Sequence, residues 1–349
     1  VVDQDSIEES PVLPAVAQPS GLRYLFGTWS GRLLLVNFAF FGLICWLSGS
    51  IFFPDMDTLL RLGAKDPVLL AEGQYWRLLT PMFLHVGIVH FGFNSYFLYI
   101  VGYQIERLLG AQWFMLVYLL AGLGGNIASA AFSVNMSAGA SSALFGLLGA
   151  GFLLERTVGS RIKQLTGRRP KNRAYAMTLV INLGLGLLIP FIDNSAHLGG
   201  LITGCLLTAA MINLRPNSLH KLNRVTGSLL VLTILALFAI GAQMATSVTL
   251  IHRRLVSAAE TASTEGDKIY RYSQAITLEP SDWESRLKRA RLYINQGAMN
   301  YAFGDLRAVL GLGQQYQDAI KAFAAELDQS GYTNQAWEVR QMLSHADVN

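Results

Sequence analysis

Ala196-His197-Leu198-Gly199-Gly200-Leu201-Ile202-Thr203-Gly204 lies inside an apolar, membrane-length stretch, 195–213, yet it carries a histidine. Residues 197, 200 and 204 fall on one helical face at i, i+3, i+7, so the imidazole shares its stripe with two glycines. Small residues let transmembrane backbones approach closely, and Gly146 and Gly149 offer the same surface in another apolar stretch. Two more polar clusters sit in such stretches: His85–His90–Asn94 and Gly139-Ala140-Ser141-Ser142. Hydrocarbon penalises groups of this kind, about 2.5–3.5 kcal/mol for a charge on insertion scales, so each cluster is a functional hypothesis.

Composition sets the class. The 349 residues are 52% hydrophobic and 14% charged, with mean hydropathy +0.36. A soluble chain carries nearer a quarter charged residues, so this is a membrane protein with soluble mass attached. Seven stretches are apolar enough to be read as spans: 32–53, 82–103, 112–134, 141–155, 174–192, 195–213 and 226–251. Residues 1–30, acidic early and holding Pro11, Pro14 and Pro19, read as a disordered tail. From 252 charges of both signs alternate, and a soluble domain is expected over 252–349. Cys45 and Cys205 lie in apolar runs and read as buried free thiols, which form no disulfide framework. No cofactor and no nucleic-acid partner is expected.

Orientation follows from the basic links. Arg156, Arg161, Lys163, Arg168, Arg169, Lys171 and Arg173 lie between the fourth and fifth spans, and Arg215, Lys221 and Arg224 between the sixth and seventh. Both links belong in the cytoplasm. By parity the N-terminus is cytoplasmic and the C-terminal domain lies on the outer face, although Arg253 and Arg254 argue weakly against it. All three polar clusters then fall in the outer half of the membrane, at similar depth. That agreement points to one shared site.

The chemistry of the clusters leaves alternatives. Ser141 opens a helix after small residues; it is either an N-cap or a hydroxyl presented beside free backbone N–H donors. His197 is either an interhelical hydrogen-bonding group or a general base within reach of Ser141. Asp193 lies one turn before His197, but its Asp-Asn-Ser setting reads as a turn, so a Ser–His dyad is expected and Asp193 is structural. His90 and Asn94, at i and i+4, can converge on one acceptor, with His85 farther round and nearer the surface. Paired histidines also suit zinc, but no H-E-x-x-H occurs and no acidic residue lies in this span, so no metal is expected. A transporter is disfavoured because no charged pathway crosses the bilayer.

Taken in order, Trp76-Arg77, His85…His90…Asn94, Glu106, Gly110, Gly139-Ala140-Ser141 and Ala196-His197-x-x-Gly200-x-x-x-Gly204 resemble the rhomboid family of intramembrane serine proteases. The resemblance covers roughly residues 32–213. It implies an all-α membrane bundle of six helices over 31–214, here followed by a seventh span over 225–251. It implies Ser141 as nucleophile and His197 as base, with His90, Asn94 and the Ser141 N–H as the oxyanion hole. It also implies that Phe145 packs on the catalytic histidine, and that transmembrane proteins in the lipid bilayer are the substrates. His85, Gly139 and Gly200 would be supporting residues. The family usually has glycine after the nucleophile, where this chain has Ser142. A catalytically silent relative that binds transmembrane clients is the alternative.

The tail has its own period. Ala290, Gly297 and Ala302 recur 34 residues on as Ala324, Gly331 and Ala336. This resembles tetratricopeptide repeats over about 265–345, which implies a peptide or protein partner. A small helical domain without a partner is the other reading.

Overall fold

The computed structural model describes residues 20–166, 172–189, 192–214 and 221–346. Among the described residues the regular structure is helical, with one isolated antiparallel bridge between Lys65 and Ser137. The chain divides into two compact units at Thr246/Ser247.

The first unit begins with α1 (Gly21–Gly27) and α2 (Trp29–Ser48). Residues 20–30 are therefore largely helical and not a disordered tail; residues 1–19 of that expectation lie outside the described residues. The reason is long-range. Glu106 accepts hydrogen bonds from Trp29 N (2.8 Å), Ser30 N (2.9 Å) and Ser30 Oγ (2.8 Å), satisfying donors that the first turn leaves free. Tyr24 is buried against Tyr99, ring centroids 4.9 Å apart.

Short α3 (Met56–Leu62) and α4 (Pro67–Ala71) follow, then two 3₁₀ turns, Tyr75–Leu78 and Thr80–Phe83. The helical passage next in line runs through α5 (Ile88–Phe97), a π-helical turn (Leu98–Gly102) and α6 (Tyr103–Leu109). It starts six residues later than the expected 82–103. Residues 84–87 are outside the helix, because Gly87 takes φ +86 and Ile88 N donates to the Ile51 carbonyl at 2.8 Å. The bundle continues with α7 (Ala111–Phe132), α8 (Ser141–Thr166), α9 (Asn172–Leu188), α10 (Asn194–Leu214) and α11 (Lys221–Thr246).

Among the described residues four helices are long and apolar enough to cross a membrane: α2, α7, α10 and the 224–246 part of α11. Apolar α9 is shorter, and the apolar part of α8 ends at Leu154, before Glu155 and Arg156. α7, α8 and α10 pack on one another at the centre, and α11 lies against α7 and α10. Met82, Phe114, Tyr118, Leu144 and Leu147 fill the core there. Cys45 and Cys205 are free and half-buried.

α11 ends at Thr246, short of the 251 expected for the seventh span, because Ser247 caps a new helix by accepting from Leu250 N. The second unit comprises α12 (Val248–Thr261), α13 (Glu265–Leu278), α14 (Trp283–Asn295), α15 (Met299–Gly311), α16 (Gln317–Gln329) and α17 (Thr333–Ala346). The 34-residue recurrence falls on matching places. Ala290 and Ala324 are fully buried on α14 and α16, Ala302 and Ala336 on α15 and α17. Gly297 and Gly331 each follow the first helix of a pair with positive φ, +71 and +85.

Candidate active site

Helix ends bring the site together. α5, α8 and α10 each start close to one polar group of interest: His90, Ser141 and His197. Ser141 is the first residue of α8, so Ala140 occupies the cap position and its carbonyl accepts from Leu144 N at 3.1 Å. The serine hydroxyl is free for other work. Its Oγ lies 2.9 Å from Nε2 of His197, within hydrogen-bond distance.

The glycine stripe is what permits that distance. A Cβ added at Gly200 would stand 2.8 Å from the Ser142 carbonyl carbon, and one at Gly204 2.5 Å from the Gly146 Cα. One at Gly149 would meet Cys205 Sγ at 2.8 Å. α8 and α10 thus touch backbone to backbone, with Gly199 pressed on Gly125 of α7 behind them. No larger residue would let the two helices close to this spacing.

Three contacts orient the histidine. Phe145 stacks on its ring, centroids 4.1 Å apart and planes inclined by 14°. Its amide donates to the Asp193 carbonyl at 3.1 Å, and the Asp193 carboxylate accepts from Ala196 N at 3.0 Å. Asp193 also accepts from the Ser129 hydroxyl. The carboxylate therefore caps α10 and is spent there. Nδ1 of His197 is buried without a hydrogen-bond partner among the described residues.

Gly139, at φ +146, makes the turn into α8, and its amide donates to the Pro81 carbonyl at 2.8 Å. A Cβ there would lie 2.8 Å from Nε2 of His90, so the imidazole rests directly on the glycine. Nδ1 of His90 lies 3.5 Å from Val86 N, which turns Nε2 toward the glycine. Asn94 is buried and its amide donates to the His90 carbonyl at 3.0 Å, on its own helix. His85, expected nearer the surface, is fully buried. Because the helix starts only at Ile88, His85 lies in the preceding loop, its ring 5.4 Å from those of both His90 and Phe91.

Arg77 is buried, with its guanidinium 4.5 Å above the half-exposed Trp76 ring. It donates to the carbonyls of Leu60 (2.6 Å) and Ala64 (3.0 Å), bracing the loop beside the site. Lys65 and Ser129 were not singled out by sequence reasoning. Lys65 is fully buried and donates to Ser129 Oγ at 2.8 Å. A signal for Ser129 was available: Gly122, Gly125 and Ser129 repeat the i, i+3, i+7 spacing of the His197 stripe.

Residues 72–214 match the Rhomboid domain. That match supports the rhomboid family. The rhomboid protease GluP of Bacillus subtilis is 46% identical over 157 residues, 45% of this chain and 30% of that protein. RHOMBOID-like protein 6, mitochondrial, of Arabidopsis thaliana is 40% identical over 153 residues, 43% of this chain and 48% of the relative. Rhomboid-like protease 1 of Toxoplasma gondii is 35% identical over 153 residues, 43% and 52% of the two chains. The chain thus spans about half the length of these relatives, or less.

Proposed function

We propose that the chain is an intramembrane serine protease, hydrolysing peptide bonds in or near transmembrane helices of membrane proteins. The observation that carries this reading is the 2.9 Å approach of Ser141 Oγ to His197 Nε2 among apolar helices. His197 takes the hydroxyl proton as Oγ attacks the scissile carbonyl, and returns it to the leaving amine. Water then hydrolyses the acyl-enzyme by the same route. The free Nδ1 of His197 and the cap role of Asp193 support a dyad without a third acid.

The developing oxyanion would be held by the Ser141 N–H, at the first position of α8, and by Nε2–H of His90. Asn94 joins them once its amide turns from its own helix. Each such donor is worth on the order of 10²–10³-fold in rate. A substrate helix must unwind before attack, since its carbonyls are tied to N–H groups four residues on. Helix-breaking Gly or Pro near the cut, and a small residue before the scissile bond, are therefore expected in substrates.

The topology we favour has the N-terminus in the cytoplasm, and the catalytic groups and C-terminal unit toward the outer face. The basic links of the sequence support it. The paired helices of the second unit support a tetratricopeptide-like domain that binds a peptide or partner protein.

A fluorophosphonate probe on membranes, with a transmembrane reporter substrate, tests the proposal. Labelling and cleavage should both be lost in Ser141→Ala, by roughly 10⁴-fold or more. Cleavage that persists undiminished in this variant would sink the reading. The Asn94 amide, bonded to its own helix, favours a second reading, a silent client-binding relative. Absence of labelling in the intact protein selects it.

A further inference from the structure

We propose that Lys65 is a positioning residue that holds the Ser141 loop and the His197 helix in register. The inference rests on the dyad proposed above, and it deepens that reading.

Lys65 has no exposed surface, although it carries an ammonium group in an apolar bundle. It reaches both halves of the dyad. Its backbone forms the bridge to Ser137, with Lys65 N donating to the Ser137 carbonyl at 2.9 Å and Ser137 N to the Lys65 carbonyl at 3.1 Å. Ser137 lies in the loop that turns at Gly139 and delivers Ser141. Its side chain takes the other direction. Nζ donates to Ser129 Oγ at 2.8 Å and to the Ser133 carbonyl at 3.3 Å. Ser129 passes a hydrogen bond to the Asp193 carboxylate, which caps α10 one turn before His197.

The chain of donors runs one way, from ammonium to hydroxyl to carboxylate. The cap of α10 is thereby tied to the buried ammonium through one hydroxyl. Lys65 is fixed from behind as well. The Ala64 carbonyl accepts from Arg77 at 3.0 Å, and Asp66 caps α4 by accepting from Val68 N (2.9 Å) and Leu69 N (3.0 Å). Lys65 thus links, beside the Ser137 side chain that also reaches the Asp193 carboxylate, the two elements that must present Oγ and Nε2 to each other. A misplacement of about 1 Å can cost on the order of 10²-fold in rate.

The test uses the full chain in liposomes, with Lys65→Met and the double variant Lys65→Met/Asp193→Asn. Hydrogen exchange is read over 133–141 and 192–198, beside kcat and KM for a transmembrane reporter. Lys65→Met should raise exchange in both segments by about tenfold. It should also lower kcat by roughly ten- to a hundredfold, with KM little changed. The double variant leaves no buried charge uncompensated, so it should regain thermal stability without regaining protection or kcat.

Unchanged exchange in either segment overturns the proposal. So does recovery of kcat in the double variant, which would reduce the pair to charge compensation. Should Lys65→Met not accumulate folded, Ser129→Ala cuts the same chain at the hydroxyl and is judged by the same two readouts. If the wild-type protein cleaves nothing, the protease reading fails, while exchange still decides whether Lys65 braces both segments.

Discussion

The α8–α10 seam and the helical pairs of the second unit both place small residues where helices cross, but for different reasons. At the seam the small residue is glycine, and backbone meets backbone at Gly200/Ser142 and Gly204/Gly146. Lipid offers no hydrophobic drive for helices to associate, so close approach and buried polar links must hold them. In the second unit the small residue is alanine, and Ile294, Leu306, Val309, Ile320, Phe323 and Leu327 surround it. There, burial of apolar surface away from water supplies the drive, and ion pairs lie around the core. A glycine in the first unit sets the distance between Ser141 Oγ and His197 Nε2. An alanine in the second sets only how well a pair of helices closes.

The largest expected effect separates the two. Asp305 is 3% exposed and receives Arg289 through Nη2 (2.6 Å) and Nε (2.9 Å), with Arg286 at 3.5 Å. Asp305→Ala removes the carboxylate shared by two largely buried guanidinium groups, which keep the neutral Ser273 hydroxyl and Pro280 carbonyl as partners, at a cost of about 3 kcal/mol. Hydrogen exchange should rise across α14 and α15, while fluorophosphonate labelling of Ser141 stays at the wild-type level. A parallel loss of labelling would mean that the units are energetically one.

Gly204→Ala is the reverse test. Its Cβ would overlap the Gly146 backbone, which cannot swing aside as a side chain could. Overpacking of this kind costs roughly 1–3 kcal/mol and should push α10 away from α8. Labelling of Ser141 should fall at least about tenfold, the consequence of a lengthened Oγ–Nε2 distance. Exchange in α14–α17 should not change. If labelling survives, the seam tolerates more separation than the proposed chemistry allows.

The same contrast governs what could be read in advance. The His197/Gly200/Gly204 and Gly146/Gly149 spacings are local signals, and the helices meet along them. The 34-residue recurrence is equally local, and it falls on buried Ala290 and Ala324. The misreadings came where burial is supplied by distant chain. Met82 and Leu84 are apolar and fully buried, yet protein covers them and not lipid, and hydropathy alone cannot tell the two apart. Helix α2 begins at Trp29, inside the expected tail, where Glu106 accepts from Trp29 and Ser30 across more than 70 positions. Lys65 drew no reading from the sequence, since nothing nearby announces Ser129 or Asp193.

A smaller effect belongs to the second unit alone. Asp282 caps α14 by accepting from Ser285 N at 3.0 Å and bonds His252 Nε2 at 2.8 Å. Burial would raise its pKa, but hydrogen bonds from Ser285 and His252 outweigh that and hold it below the ordinary 3.8. A depressed folded-state pKa adds stability that is fully present above the unfolded value and lost as pH falls through the folded one. Protection of α14, corrected for intrinsic exchange, should therefore decline below about pH 4. Asp282→Ala should lose about 1 kcal/mol at neutral pH and flatten that acid decline. A decline of undiminished size in the variant would assign it to other carboxylates.

The smallest effect bears on the one residue that departs from the rhomboid pattern. Ser142 is 1% exposed, and its Oγ has no hydrogen-bond partner among the described residues. Its Cβ is pressed toward Gly125 of α7, while Ser141 alone makes the bond to His197. The second hydroxyl therefore sits beneath the site and takes no part in the dyad. A buried hydroxyl left unpaired costs roughly 1–3 kcal/mol, so Ser142→Ala should raise thermal stability, by about 1 kcal/mol after the loss of one packed atom. Reporter cleavage should stay within about twofold of wild type, since no transition-state contact is removed. Loss of cleavage in a variant that melts later would instead give this hydroxyl a role at the reacting carbonyl. The glycine-lined seam would then hold two working serines.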